Sequence, residues 1–550
     1  MDSPEPPARA GVFAPLAVST FRNIWLGSLV SNTGALIQGV AAAWVMTDIG
    51  SPGMVAMVQT ATFLPIALLA VPAGAIADMY DRRKAQMAAL GFSMAGGLFL
   101  TALAFAGWIV PWTLLAMCFL VGCGVAIYSP AWQSSPGEQV PPPLLPQAVA
   151  LNGISYNIAR SFGPAAGGAI VAAAGASAAF AVSALCYLPI LLALLLWRRT
   201  PPPSRLPPER LSRAMMGGLR YIMHMQPVRT AVARSFITGA LGAALLSLMP
   251  LIARDMLGGG ARAFGMMLGF FGLGAVGAIF ILQPVRRRGN EKVAAGCSIA
   301  MAGAVAALAF SHTLAVSSVA LLMAGAAWMI QMTTVNIAVQ LFVPRWVTGR
   351  AVACLNATIA GGIAIGAVLW GMAAQGYGTQ TALFVAAGCH ALAPLVGLLL
   401  PIADREDAAR TLDEPLADPE IRLGITGRSG PIIIELRYRV PMDEARGFYD
   451  LMRHVQRIRT RNGAYGWSLS RNINDPERWV ERYRSPTWHD YLRQRNRSTV
   501  EEIEVQQQAF AYLDGEMQTA IERWLERPFG SVRWQAGSPD QDPVGMAGDN

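Results

Sequence analysis

Long apolar runs alternate with short charged connections along the first four hundred residues, and this pattern predicts membrane-spanning helices. Charge-free windows run from Asn23 to Thr47, Ile49 to Ala77 and Ala85 to Gly137, and Gln139 to Trp197 is broken only by Arg160. After a basic stretch they resume at Ser235–Ala253, Ala263–Val285, Val293–Pro344 and Ala351–Ala403. A helix needs about 20 apolar residues to cross a hydrocarbon core about 30 Å thick. The longer windows therefore hold two helices each, divided at "GWIVPW", within 139–197, near Ser311–Thr313 and at "AQGYGTQ". The pattern predicts an all-α membrane protein of twelve transmembrane helices in two pseudo-symmetric six-helix bundles.

The connections differ in sign. Arg22, Arg82–Lys84, Arg198 through Arg229, Arg286–Lys292, Arg345 and Arg350 fall on alternate connections, while the others carry little beyond Arg254 and Arg262. Basic residues stay on the cytoplasmic side, so both termini are expected there, in a multi-pass membrane protein. "GAI" at Gly74 and Gly277, "VP" at Val140 and Val343, and "AVA" at Ala148 and Ala351 recur at one offset, which reads as duplicated halves. Such halves place a substrate site near the midplane between them. The expected organisation is a cytoplasmic tail 1–20, bundles at 21–197 and 230–402, a connection 198–229 between them, a linker 403–430, a soluble domain 431–530 and a disordered tail 531–550. In the 198–229 connection Leu211, Met215, Leu219 and Ile222 recur at helical spacing among arginines, predicting an amphipathic helix on the inner membrane surface.

Composition agrees with lipid as the solvent. The chain is 53% hydrophobic and only 14% charged, against about 25% charged in soluble domains. The formal net charge of +9 is spread as clusters between apolar runs, so topology accounts for it and nucleic acid is excluded as a partner. All six cysteines lie in apolar runs and none forms a metal-type CxxC. No GxxxxGK[ST] phosphate loop is present, which argues against ATP-driven pumping. No cofactor, no metal and no catalytic residue are expected; the partners are the bilayer and a small-molecule substrate.

Two motifs carry a family resemblance. "GAIADMYDRRKAQ", with Gly74, Asp78, Arg82, Arg83 and Lys84, resembles the helix 2–3 loop of the major facilitator superfamily. In that family the loop latches the two halves together in one conformation. The family usually has glycine where Asp81 stands, and the second-half copy has Ile281 in place of Asp78, so the implied latch is one-sided. "GPAAGG", with Gly163, Pro164, Gly167 and Gly168, resembles the helix 5 signature of drug:proton antiporters. With "FRNIWLGSLVSNTGALIQ" these stretches are similar to the branch containing the enterobactin exporter and related secretion effectors, over residues 15 to 402. The resemblance implies proton-coupled export of a siderophore, drug-like or amphipathic metabolite.

Arg160 raises the main chemical question, because the fifth span places it near mid-depth. Gly163 and Gly167 give that helix a smooth face, and Pro164 cannot donate to the Arg160 carbonyl. An arginine at that depth costs about 3 kcal/mol or more, so it faces a wet cavity or a partner. Either it attracts an anionic substrate, or backbone carbonyls, Asn157 or Tyr156 satisfy it. Asn32, Gln38, Tyr128, Trp132, Asn157, Gln331 and Asn336 are the further cavity candidates, with Thr33, Asn152 and Asn356 comparable. No carboxylate stands near mid-depth, leaving Asp48 and His390 as coupling candidates.

After Pro401 the composition turns polar. Ile434, Leu436, Tyr438 and Val440 alternate with charged residues as a half-buried strand, and Phe448, Leu451, Met452, Val455 and Ile458 form a helical stripe. The expected order β-α-β-β-α resembles the ferredoxin-like domains of antibiotic-biosynthesis monooxygenases, which implies dimerisation through this domain. The rival function is a membrane-anchored, cofactor-free monooxygenase or binding module acting on the transported compound, with Trp467, Asn472, Trp488 and His489 as pocket residues.

Overall fold

In a computed structural model, residues 13–79, 81–198, 219–343, 345–402, 419, 421, 423–496, 500–515 and 520–526 are described. The expected tail 531–550, most of the 403–430 linker and the first part of the 198–229 connection lie outside them. The chain divides into two units: residues 1–215, 227–340 and 349–405 form the first, and 216–226, 341–348 and 406–550 the second.

The first unit is helical. Its helices are α1 (Ser19–Ile49), α2 (Pro52–Met79), α3 (Arg82–Phe105), α4 (Pro111–Ser134), α5 (Leu145–Leu185) and α6 (Leu188–Leu196), then α7 (Gln226–Leu251), α8 (Ala261–Arg286), α9 (Asn290–Phe310), α10 (Leu314–Phe342), α11 (Arg345–Tyr377) and α12 (Thr379–Leu392). Local chemistry sets several boundaries. Pro111 opens α4, where a missing N–H costs nothing. Asp81 caps α3, its carboxylate accepting from the backbone N–H of Arg83 at 2.9 Å and of Lys84 at 3.2 Å. Among the described residues, eleven stretches are long and apolar enough to cross a bilayer. One of them, Pro142–Leu196, is 55 residues long and breaks its helical backbone at Gly175, where φ is 81°.

Side chains such as Phe280, Leu398 and Leu399 lie more than four-fifths exposed, as expected for helices that meet lipid tails rather than water. The helices themselves meet through small residues, which let backbones approach closely in a medium offering no hydrophobic drive between them. α1 packs on α5, α2 on α4, and α5 on α8. On the α5–α8 seam a Cβ at Gly168 would lie 2.9 Å from the Gly265 Cα, and one at Gly272 would lie 2.7 Å from the Arg160 carbonyl oxygen. The two sequence halves are also tied by Thr60 Oγ1, which donates to the Ala364 carbonyl at 2.8 Å, and by Arg254, which donates to the Thr47 carbonyl.

The second unit contains a four-stranded antiparallel sheet of β1 (Ile432–Arg439), β2 (Tyr465–Arg471), β3 (Arg478–Ser485) and β4 (Ile521–Leu525), ordered β2-β3-β1-β4. Its helices are α13 (Ala445–Asn462), α14 (Trp488–Asn496) and α15 (Val500–Phe510). Ile434, Leu436, Tyr438 and Val440 are all buried, as are Phe448, Met452, Val455 and Ile458 of the α13 stripe. β4 adds a strand beyond the expected β-α-β-β-α order; its five residues, "IERWL", are too short and charged to show alternation. Residues 219–224 are helical. Of the face expected to lie on a membrane, Ile222 is buried within the protein, Leu219 is 48% exposed, and Leu211 and Met215 lie outside the described residues.

Candidate functional site

Arg160 sits half-buried on α5 where that helix meets α8. Its guanidinium carbon is 5.3 Å from the centre of the Phe271 ring, and it has no hydrogen bond or ion pair among the described residues. The alternative partner Asn157 instead donates to the Gly153 carbonyl at 2.9 Å, and Tyr156 is exposed. The cation is therefore held by a ring face, an interaction worth about 0.5–2 kcal/mol, with its five N–H donors uncommitted. Pro164 leaves the Arg160 carbonyl without its helical donor, and this oxygen faces Gly272 on α8. Around it, a Cβ at Gly163 would meet Leu36 at 3.0 Å and one at Gly167 would meet Ile37 at 3.0 Å. The signature glycines thus seat α5 against α1 on one side and α8 on the other.

The other cavity candidates scatter. Gln38 is buried and accepts from Ser183 Oγ at 3.3 Å. Tyr128 and Trp132 stack with centroids 6.2 Å apart, and Trp132 Nε1 donates to Ser28 Oγ at 3.0 Å. Asn32 is half-buried, and half-buried Asn336 accepts from Gln340. None of these adjoins Arg160 through a described hydrogen bond.

Gln331 and His390, which the sequence assigned to different roles, line one small cavity. It has a volume of about 20 Å³ and is walled by Arg234, Leu241, Ser298, Gln331, His390 and Val396. His390 and Gln331 are each at least 95% buried, and His390 Nε2 and Gln331 Oε1 have no hydrogen-bond partner among the described residues. A cavity needs roughly 10–15 Å³ to hold one water, so this one has room for a single water. Arg234 donates from Nη1 to Glu291 Oε2 at 2.5 Å and to the Leu400 carbonyl at 3.2 Å, and Ile402 N–H donates to the same carboxylate oxygen at 3.1 Å. Sequence reading missed this pair, because Arg234 falls just before an apolar window and looks like a surface anchor. Asp48, the other coupling candidate, is exposed at the end of α1, where Arg254 pairs with Asp255 at 2.6 Å.

Arg82 pairs with Glu138 Oε1 at 3.0 Å and donates to the Ser134 carbonyl at 3.0 Å; Arg83 donates to the carbonyls of Leu194 and Leu195 at 2.6 and 2.9 Å. These partners lie in the first half and bind its helix ends together. Gly74 does adjoin the second half, since its Cβ would lie 3.6 Å from that of Ala353. The side chain of Asp78 lies outside the described residues.

In the second unit the imagined pocket residues have structural work. Trp467 Nε1 donates to Glu481 Oε1 at 2.9 Å, Asn472 Oδ1 accepts from the N–H groups of Asn474 and Asp475, and Trp488 packs on Tyr491. Glu481, fully buried, also accepts from Tyr438 Oη at 2.8 Å and Arg459 Nε at 3.2 Å. Burial, aided by the Glu481 charge, pushes the Tyr438 hydroxyl well above its ordinary value. Trp467, Trp488 and Glu481 thus tie the domain core, while Asn472 orders an exposed turn.

Comparison with known proteins fits the helical unit. A profile of the transmembrane secretion effector family matches residues 10–529. The staphyloferrin A transporter of Staphylococcus aureus is 27% identical over 259 residues, covering 46% of this chain and 64% of that protein. The multidrug efflux pump Tap of Mycobacterium tuberculosis is 29% identical over 224 residues, covering 38% and 52%, and macrolide efflux protein A of Streptococcus pyogenes is 29% identical over 141 residues, covering 25% and 35%. The chain thus spans less than two thirds of the length of each. Among solved structures, a bacterial homologue of the human lysosomal transporter Spinster aligns with a TM-score of 0.56 at 12% identity, covering 72% of this chain and 98% of that one. The nucleoside transporter NupG aligns with a TM-score of 0.57 at 12% identity, covering 70% and 100%. At such identity these two speak to fold alone, and the helical unit shares their fold. Matched along nearly its whole length by the family profile, the chain belongs to the transmembrane secretion effectors of the major facilitator superfamily.

Proposed function

We propose that the chain is a secondary active exporter of a small anionic or amphipathic molecule, working by alternating access between two halves in a bacterial inner membrane. The observation that carries this reading is Arg160, a cation with uncommitted donors on the seam between a first-half and a second-half helix. Holding such a group at mid-depth costs energy that a structural role would recover through fixed partners. An arriving carboxylate or similar anion would supply them. The similarity to a staphyloferrin A transporter, a macrolide efflux protein and a multidrug efflux pump supports a small-molecule cargo.

The same reading assigns twelve spans. A straight helix of 55 residues would measure about 80 Å, so Pro142–Leu196 crosses twice and turns at Gly175. The basic connections put both termini in the cytoplasm. The second unit is read as ferredoxin-like, consistent with its β2-β3-β1-β4 order. Proton coupling falls to His390, whose open Nε2 shares a water-sized cavity with Gln331; Asp48 is the second candidate. The monooxygenase alternative is disfavoured because Trp467 and Trp488 are committed to the domain core.

The test begins with metabolite profiling of medium from a deletion strain against the complemented strain, which identifies the cargo. Export of that compound is then measured with Arg160→Ala and Arg160→Lys. Loss in both supports the reading, and wild-type export in both refutes the role of Arg160. Export that persists after collapse of the proton gradient refutes the coupling.

A further inference from the structure

Arg461, in the last turn of α13, holds two things at once. Its Nη2 pairs with Glu502 on α15, a carboxylate whose other oxygen accepts from Asn462 Nδ2 at 2.8 Å. Its Nη1 lies 3.1 Å from Met225 Sδ, and its guanidinium carbon stands 5.4 Å from the centre of the Tyr221 ring. Tyr221 and Met225 belong to the connection that leads into α7, and they share one unit with the C-terminal domain. Gly463 closes α13 with φ +120°, and a Cβ there would lie 3.2 Å from Arg220 Nη2, so this glycine serves both the turn and the approach of the connection.

The energetics favour a built contact. Glu502 is 3% exposed, and a carboxylate so buried is costly unless paired. Arg461 pairs it, and Tyr221 covers the guanidinium, which excludes water and strengthens the pair. The reverse dependence is as strong. Most helical stability in proteins comes from packing an apolar face, and among the helical residues 219–224 Tyr221 is fully buried and Ile222 is 3% exposed.

We propose that the C-terminal domain is an intramolecular docking module whose partner is the connection between the two halves of this chain. Arg461 is the hook and Tyr221 the seated anchor. Residues 341–348, spanning the end of α10 and the start of α11, belong to the same unit. The docked domain therefore restrains segments that must move in an alternating-access cycle. That consequence rests on the exporter reading; the docking does not.

Hydrogen–deuterium exchange on the full chain, in nanodiscs holding one copy each, tests the docking. The expected result is protection of residues 219–225 in the wild type that falls at least tenfold in Tyr221→Ala, while β1 and β3 amides keep theirs. Arg461→Ala is expected to give the same loss, with Arg461→Lys intermediate. If Arg461→Ala also exposes β1, Tyr221→Ala alone decides, since that side chain lies outside the domain. Wild-type exchange of 219–225 as fast as in Tyr221→Ala overturns the proposal. Export lost in Arg160 variants with these amides still protected separates the two claims.

Discussion

Arg160 in the helical unit and Arg459 in the C-terminal domain are both withdrawn from bulk water, and the protein treats them in opposite ways. Arg459 donates from Nε to Glu481 and from Nη1 to Gln506 Oε1 at 2.9 Å, and lies 4.8 Å from the Tyr483 ring centre. Its carboxylate partner is itself satisfied by Tyr438 and Trp467. Arg160 has a ring beneath it and no hydrogen bond or ion pair among the described residues. A buried charge whose bonds are complete specifies a core. A cation left incomplete in an apolar setting is a reservoir of binding energy, because a ligand that completes it recovers what folding left unspent. Under the proposed function, this contrast separates a structural arginine from a functional one without reference to depth.

The sharpest way to break this comparison is to strand one member of the closed network. Glu481→Ala leaves the Arg459 guanidinium buried and unpaired, and the expected loss of domain stability is about 3–5 kcal/mol. It would be read as lost exchange protection of β1 and β3 amides in the full chain. Replacing Glu481 and Arg459 together with leucine and methionine should recover most of that loss, since no unpaired charge remains. Equal damage from the single and double replacements would show that the network does more than satisfy itself.

The converse experiment removes the open cation. Arg160→Ala strands no partner and forfeits only the contact with Phe271, so its cost to stability is expected to be about 1 kcal/mol at most. Export of the identified cargo should nevertheless fall at least tenfold, equivalent to about 1.4 kcal/mol. Thermal unfolding of the purified protein, beside the export rate, reads both. A large fall in stability with an unchanged rate would move Arg160 into the class of Arg459.

Gly272→Ala probes the seam that holds the cation. A methyl there would meet the Arg160 carbonyl oxygen and the Ser161 Cα, each at 2.7 Å. Both are backbone, so α5 and α8 must separate, at a cost of about 1–3 kcal/mol. Gly277→Ala, where a Cβ would meet nothing, is the control and should be neutral. Similar unfolding temperatures for the two variants would show that the seam yields easily.

These regions also differ in how far the sequence disclosed them. Period-two alternation named Ile434, Leu436, Tyr438 and Val440 as core because side-chain direction in a strand follows directly from chain position. Charge-free windows located the spans for a similarly local reason. Arg160 stood out because one charge in an apolar run is visible without coordinates. Arg234 and Glu291 did not, since each borders a charged connection and their pairing joins positions 57 apart. Asp81 departed from the family pattern as an apparent oddity, and only the bonds from Arg83 and Lys84 give it a reason as a helix cap. Arg82 and Arg83 were legible as a motif, but their partners at Glu138, Leu194 and Leu195 depended on how distant helix ends meet. Local order was readable; pairings across the fold were not.

A third treatment of charge, giving it up, yields the smallest predicted effect. His489 is half-buried at the start of α14, its backbone N–H donating to the Gly427 carbonyl at 2.9 Å. Burial lowers its pKa, and Arg493 and Arg428 push the same way against Asp490. The folded domain therefore holds this proton less tightly than the unfolded chain, where histidine titrates near 6.5. The sign follows from proton counting: below about pH 6.5 the unfolded state binds more protons, so stability falls as pH drops. His489→Gln removes that contribution, and the exchange protection of β1 should then weaken less between pH 7.5 and pH 5.5 than in the wild type, after correction for intrinsic exchange. Identical weakening in both proteins would place the acid sensitivity elsewhere, and His489 would join the satisfied groups rather than stand between them and Arg160.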